Sequence, residues 1–93
     1  MRAVNTARAF QKDFRREMAG RNRNALARTL PFVLDLLARD VPLPGQFKEH
    51  RLKGEWAQHR ECHLRPDLLL IYRKPDDRTL TLVRLGSHSE LFG

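Results

Sequence analysis

The sequence predicts an α+β domain in which two N-terminal helices pack on one face of an antiparallel sheet of about four strands. Three observations predict it. Apolar residues recur at helical spacing through the first 40 residues. The remainder switches to short apolar runs bounded by turn signals. The chain has 93 residues, room for a single domain (residues 1–93) with one modest core.

Residues 2–5 read as a short strand or an arm. Asn5 or Thr6 is the candidate N-cap of a helix over about residues 6–20. Ala7, Phe10, Phe14 and Met18 form its apolar stripe, with Arg8, Lys12, Arg15 and Arg16 mostly off it. Gly20, Asn22 and Asn24 signal a stop and a turn. A second helix is expected over about residues 24–39, burying Leu26, Leu30, Val33, Leu34 and Leu37. Pro31 falls inside it, where it removes one hydrogen bond and crowds the preceding turn, so a kink is expected there.

Pro42, Pro44 and Gly45 break the helical pattern. The rest reads as strands. "HRLKGEW" (50–56) is a short strand bent at Gly54, and "AQHRECHL" (57–64) a second. "DLLLIYR" (67–73) is the most apolar and so the central strand. "KPDDR" (74–78) is a turn, and "TLTLVRL" (79–85) the fourth strand. Gly86 ends it, leaving "SHSELFG" as a turn or a single helical turn. With both helices on one face, the other face stays open for a site.

Composition narrows the function classes. Hydrophobic residues make up 41% and charged residues 31%, as in a folded globular domain rather than a disordered segment. Cys62 is the only cysteine, which excludes an internal disulfide and a cysteine metal cage and fits a reducing compartment. No apolar run reaches the roughly 20 residues of a membrane helix, and the N-terminus lacks a signal-peptide core. The expected location is therefore the cytoplasm. The net charge is +7. Residues 1–40 hold nine Lys/Arg against four Asp/Glu, and residues 41–93 nine against seven. Such a charge draws a small domain to nucleic acid or to an acidic protein, or simply keeps it in solution.

The chemistry-bearing residues lie in the second half. The histidines are His50, His59, His63 and His88. Strand residues two apart share a face, which groups His59, Glu61 and His63 on the open side and turns Cys62 and Leu64 inward. Imidazoles exchange protons near neutral pH. Cleaving RNA through its own 2′-OH needs a base, an acid and positive charge at the phosphate, and no metal. Two or three histidines, Asp67 and nearby Arg/Lys supply those parts. Lys48, Arg51 and Lys53 flank His50 and are candidates for phosphate contact or a solvated rim. Arg84 is a candidate for phosphate contact or a salt bridge to Glu61. A metal reading of His59-x3-His63 with Asp67 is disfavoured, because an extended segment does not bring both rings to one side. No metal or other cofactor is expected. His59 alone is read as a polar surface residue, Trp56 as a packing residue beneath the bend, Tyr72 as core, and Arg60 and Arg73 as structural.

Three stretches, "VPLPGQFKEHRLKGEW", "RECHLRPDLLLIYR" and "RLGSHSELFG", closely resemble the YafQ branch of the RelE-like bacterial toxins. The resemblance is dense over residues 43–93, whereas the helical half matches in layout only. It implies a type II toxin that enters the ribosomal A site and cuts mRNA there. It also implies restraint by a cognate antitoxin with an acidic segment in a hetero-oligomer, and no membrane partner. Matched motif by motif, it implies that His50, His63 and His88 share proton transfer and phosphate contact. Asp67 would orient a histidine or join the transfer, and Phe92 would stack on or position a base. Three positions depart from the family pattern: Leu68 replaces a tryptophan, Ser87 a threonine and Glu49 an aspartate. Leu68 implies a lost stacking contact and a shifted codon preference. The alternatives are a gyrase-inhibiting toxin of the ParE type on the same scaffold, which lacks this histidine set, or an RNA-binding module without activity.

Overall fold

The computed structural model describes residues 1–93. Its elements are β1 (Ala3–Thr6), α1 (Arg8–Met18), α2 (Arg23–Ala38), β2 (His50–Arg51), β3 (Arg60–Arg65), β4 (Leu68–Asp76), β5 (Thr79–Gly86) and α3 (His88–Phe92). Short 3₁₀ turns at Gly45–Phe47 and Gly54–Trp56 flank β2. The sheet has five strands in the order β1-β5-β4-β3-β2.

The fold class is the expected one, but the sheet is mixed and one strand larger. β1 pairs with β5 in parallel register, Ala3 opposite Thr79 through Thr6 opposite Leu82. The helix pair carries the chain from β1 at one edge of the sheet to β2 at the other. β2 is only two residues long, not seven, because the chain turns at Gly54, whose φ of 66° suits glycine. The next strand starts at Arg60 rather than Ala57. β4 runs on through Pro75 to Asp76, so the expected 74–78 turn shrinks to Asp77 and Arg78. There the Asp76 carboxylate accepts from the Arg78 amide at 2.8 Å.

The helical spacing is borne out. α2 runs unbroken through Pro31 and buries Leu26, Leu30, Val33 and Leu37. They join Phe10 of α1 and the inward residues Cys62, Leu64, Leu68, Leu70, Tyr72, Leu80, Leu82 and Leu85 in one core. β4 is buried on both faces, as a central strand should be. Leu69 and Ile71 point to the side the helices leave open and meet Leu91 of α3, with Leu52, Trp56 and Val83 around them. That face is therefore only partly open: α3 and Trp56 cover its middle. Fully burying one such leucine contributes roughly 1.5–3 kcal/mol, so three anchors suffice to hold the five-residue α3 down.

The helices join the sheet through one polar knot. Asp13, on α1 and 3% exposed, accepts from Arg84 Nε at 2.7 Å, from the Leu85 amide at 3.0 Å and from Arg16 Nη1 at 2.8 Å. Burial pushes its carboxyl up, but these donors outweigh it and hold the carboxyl below the ordinary aspartate value. Arg16 also donates to the Leu85 carbonyl at 2.8 Å and pairs with Glu90 of α3 at 3.2 Å. A Cβ at Gly86 would stand 2.8 Å from Arg16 Nη2, so the strand end needs glycine there.

Candidate active site

Strand register assembles the site. His50 stands opposite Glu61, and Glu61 opposite Ile71. His63 stands opposite Leu69, and Leu69 opposite Gly86. His63 and Glu61 are two apart on β3 and share a face. His88 follows Gly86 by two residues. Three imidazoles thus fall in a row, with ring centroids 6.3 Å apart for His50 and His63 and 6.0 Å apart for His63 and His88. Phe92 lies 6.1 Å beyond His88, and Trp56 a further 6.1 Å beyond Phe92.

Each histidine has its own support. His50 Nδ1 lies 2.8 Å from the Lys48 carbonyl, and His63 Nδ1 lies 3.3 Å from the Pro66 carbonyl. A carbonyl only accepts, so each Nδ1 carries a hydrogen and each Nε2 is turned inward. Both Nε2 atoms face one oxygen of Glu61, at 3.2 Å from His50 and 3.7 Å from His63. Glu61 is 3% exposed, and its other oxygen has no hydrogen-bond partner. The contact between His50 and Glu61 is a hydrogen bond only while a proton lies between the two atoms. His50 and His63 therefore meet at one carboxylate oxygen of Glu61.

His88 is held differently. Asp67, in the turn between β3 and β4, accepts from the His88 amide at 3.0 Å and lies 3.4 Å from its Nδ1. The His88 amide bond is the chief cause that holds the Asp67 carboxyl below its ordinary value, with the His88 ring and Arg21 adding to it. Ser87 starts α3 with a reciprocal capping box: its hydroxyl accepts from the Glu90 amide at 3.2 Å, and Glu90 accepts from the Ser87 amide at 2.8 Å.

The structure thus brings together His50, His63, Asp67, His88 and Phe92. It does not do so for every candidate. Arg84 makes no contact with Glu61; its guanidinium is committed to Asp13 instead. Arg51 donates to the Ala57 carbonyl at 3.4 Å and lines a separate groove with His59, Arg60, Arg73 and Lys74, which includes none of His50, His63 and His88. Lys53 is exposed beside Gly54. Lys48 is the flanking cation nearest the site, lining a hollow with His63 and Arg65. His59 packs edge-on against Trp56 at 5.0 Å, and burial together with Arg73 lowers its pKa. Leu68 is 1% exposed in the helix-side core, so residue 68 has no place on the open surface.

Sequence reasoning missed Glu61 and Glu49. Alternation put Glu61 on the right face but not beneath two histidines. Glu49 accepts from Arg60 Nη2 at 2.9 Å and from the Tyr72 hydroxyl, which pins the segment that carries His50. Arg60 is the first cause holding its carboxyl low. A carboxylate immediately before a histidine was the available signal.

A small α+β domain with this imidazole row belongs to a defined class of bacterial proteins. The profile of the family described as "Bacterial toxin of type II toxin-antitoxin system, YafQ" matches residues 2–93. The chain is 42% identical over 65 residues, 69% of its length and 70% of the relative's, to the mRNA interferase toxin YafQ of Escherichia coli K12. A copper-bound point mutant of a toxin from Helicobacter pylori superposes with a TM-score of 0.88 at 42% identity, over 99% of this chain and all of that one. The E. coli DinJ–YafQ complex gives a TM-score of 0.83 at 32% identity over the full length of both chains. The chain belongs to the YafQ family of type II toxin–antitoxin toxins, a family of mRNA interferases with a cognate antitoxin as partner. No helix is long and apolar enough to cross a membrane.

Proposed function

We propose that the imidazole row cleaves mRNA in the ribosomal A site by activating the ribose 2′-OH, without a metal. One imidazole takes the 2′-OH proton. The oxygen attacks the adjacent phosphorus, and the bond to the 5′-oxygen breaks. A second, protonated imidazole gives that oxygen its proton. The products are a 2′,3′-cyclic phosphate and a 5′-hydroxyl. Asp67 orients His88, whose amide and ring it both meets. The exposed Phe92 stacks on a base. An antitoxin with an acidic segment shields this basic chain.

The observation that carries the reading is the spacing of the three rings, 6.0 and 6.3 Å on one face. A phosphodiester seated among them meets a proton acceptor and a donor at once. His88→Ala is expected to stay folded and to lower cleavage of a translated message by about 10²–10⁴-fold. Parental cleavage by that variant removes His88 from the chemistry. The rate should also fall on both sides of a pH optimum, as for any acid and base pair of imidazoles.

A second reading is favoured by one arrangement. The ligand atoms of His50, Glu61 and His63 lie within 4.8 Å of one another, and one Glu61 oxygen is free to bind. Imidazole and carboxylate donors suit Cu(II) or Zn(II), and the H. pylori relative is copper-bound. A metal held there takes up the lone pairs that proton transfer needs. Added Cu(II) should therefore inhibit and a chelator restore cleavage; activation by Cu(II) would reverse the assignment.

A further inference from the structure

The site lies in the wall of a longer trough. A hollow lined by Lys48, His63 and Arg65 continues through Arg65 and Pro66 into one lined by Arg21, Asn22 and Asp67. That second hollow shares Arg21, Asn22 and Asp67 with a third, which reaches Ser87 and Ser89. The middle hollow has no hydrophobic residue in its lining.

Charge along this trough is unevenly satisfied. Its carboxylates are already engaged: Glu17 and Glu90 by Arg16 at 3.0 and 3.2 Å, and Asp67 by the His88 amide at 3.0 Å. Asn22 is spent on Glu17 at 2.7 Å. Arg21 and Arg65 form no ion pair or side-chain hydrogen bond, and both are exposed. Two guanidinium groups without a hydrogen-bonded partner therefore line a polar trough beside Asp67. Neither helps to hold the fold.

We infer that Arg21 and Arg65 are a phosphate-binding subsite that carries the RNA backbone past the imidazole row, on the flank where Asp67 holds His88. The inference rests on the nuclease reading. A guanidinium fork binds phosphate oxygens in pairs. Phe92 then grips a base beyond His88, and the two arginines grip backbone phosphates beside Asp67 and His63. The turn joining α1 to α2, which carries Arg21, becomes part of the substrate channel.

The test uses a single-stranded 2′-O-methyl RNA oligonucleotide, which has no free 2′-OH and cannot be cut. Its affinity is measured from 50 to 200 mM salt for the parental protein, for Arg21→Gln/Arg65→Gln, and for Arg78→Gln, an exposed arginine in the turn between β4 and β5, as control. Each lost phosphate contact on a single strand flattens the log–log salt slope by about 0.7. The double variant is expected to lose about 1.4 from the slope, so that salt weakens it about sevenfold less than the parent over that range. Arg78→Gln keeps the parental slope, and the KM for cleavage rises in the double variant. Equal slopes in parent and double variant, or a parent that does not bind the oligonucleotide, overturn the subsite. So does a double variant that loses only ribosome binding, since that assigns the arginines to ribosomal RNA. Failure of the parent to cut mRNA through the 2′-OH overturns the nuclease reading instead, and is scored separately.

Discussion

Two carboxylates in this molecule are equally buried and differently partnered. Asp13 and Glu61 are each 3% exposed. Asp13 is filled: Arg84, Arg16 and the Leu85 amide donate to it. Glu61 faces two histidines and keeps one oxygen without a partner. Guanidinium is charged at every working pH, so the Asp13 knot is fixed. The partners of Glu61 are imidazoles, the side-chain type used to pass protons near neutral pH. A buried acid with permanent cations builds structure; one with titratable cations is ready for chemistry.

The largest expected effect breaks the titratable side. Glu61→Gln keeps the volume and removes the charge that both Nε2 atoms face. Cleavage should fall about 100-fold, the low end of what a positioned proton-transfer group supplies. The thermal midpoint should move little, since the glutamate already lacks one hydrogen bond. A variant with parental cleavage and a lowered midpoint would make Glu61 a structural residue like Asp13.

Next in size is the fixed side. Asp13→Ala strands the Leu85 amide and leaves Arg84 without its acceptor. Urea unfolding should show a loss of about 2 kcal/mol, below the range for a fully buried pair because both arginines are partly exposed. Cleavage per folded molecule should stay within about twofold of the parent.

A smaller effect comes from pH. The folded Asp13 carboxyl is depressed below the ordinary aspartate value by its arginine and amide donors. Its contribution to stability is therefore complete above about pH 4 and is lost as pH falls through the lower folded value. The stability gap between the parent and Asp13→Asn should close on acidification below about pH 4. A gap that widens there would mean that burial outweighs the donors.

The smallest effect tests the link between the two regions. Arg16 joins the Asp13 knot to Glu90 of α3, and Glu90 is about 40% exposed. Glu90→Gln should cost under about 1 kcal/mol. It should slow cleavage by about two- to threefold as α3 loosens. No change in either quantity would separate the knot from the site.

These partners also mark what the sequence makes legible. Leu26, Leu30, Val33 and Leu37 repeat at helical spacing and do go inside. The run from Leu68 to Tyr72 is the central strand. β1 carries no such signal: Ala3, Val4, Asn5 and Thr6 are all exposed, and their strand exists only because β5 offers an edge. The bend at Gly54 was visible, but not that it ends β2 after two residues. In the site, alternation gives the face and the resemblance supplies the set. Neither gives depth, because Glu61 is buried by His50 and His63 rather than by apolar neighbours. Asp13 has the same problem in a helix. It lies three residues from Phe10 and four from Glu17, along the buried stripe, yet two of its three partners are about 70 residues away.

α3 comes after every strand it rests on. Its hold on the sheet runs through Asp67, Arg16 and the apolar patch under Leu91. During synthesis, His88 and Phe92 can take their places only after β3, β4 and β5 have left the ribosome's exit tunnel and paired. The imidazole row is therefore incomplete until β5 and α3 have emerged, so the order of translation itself delays its assembly.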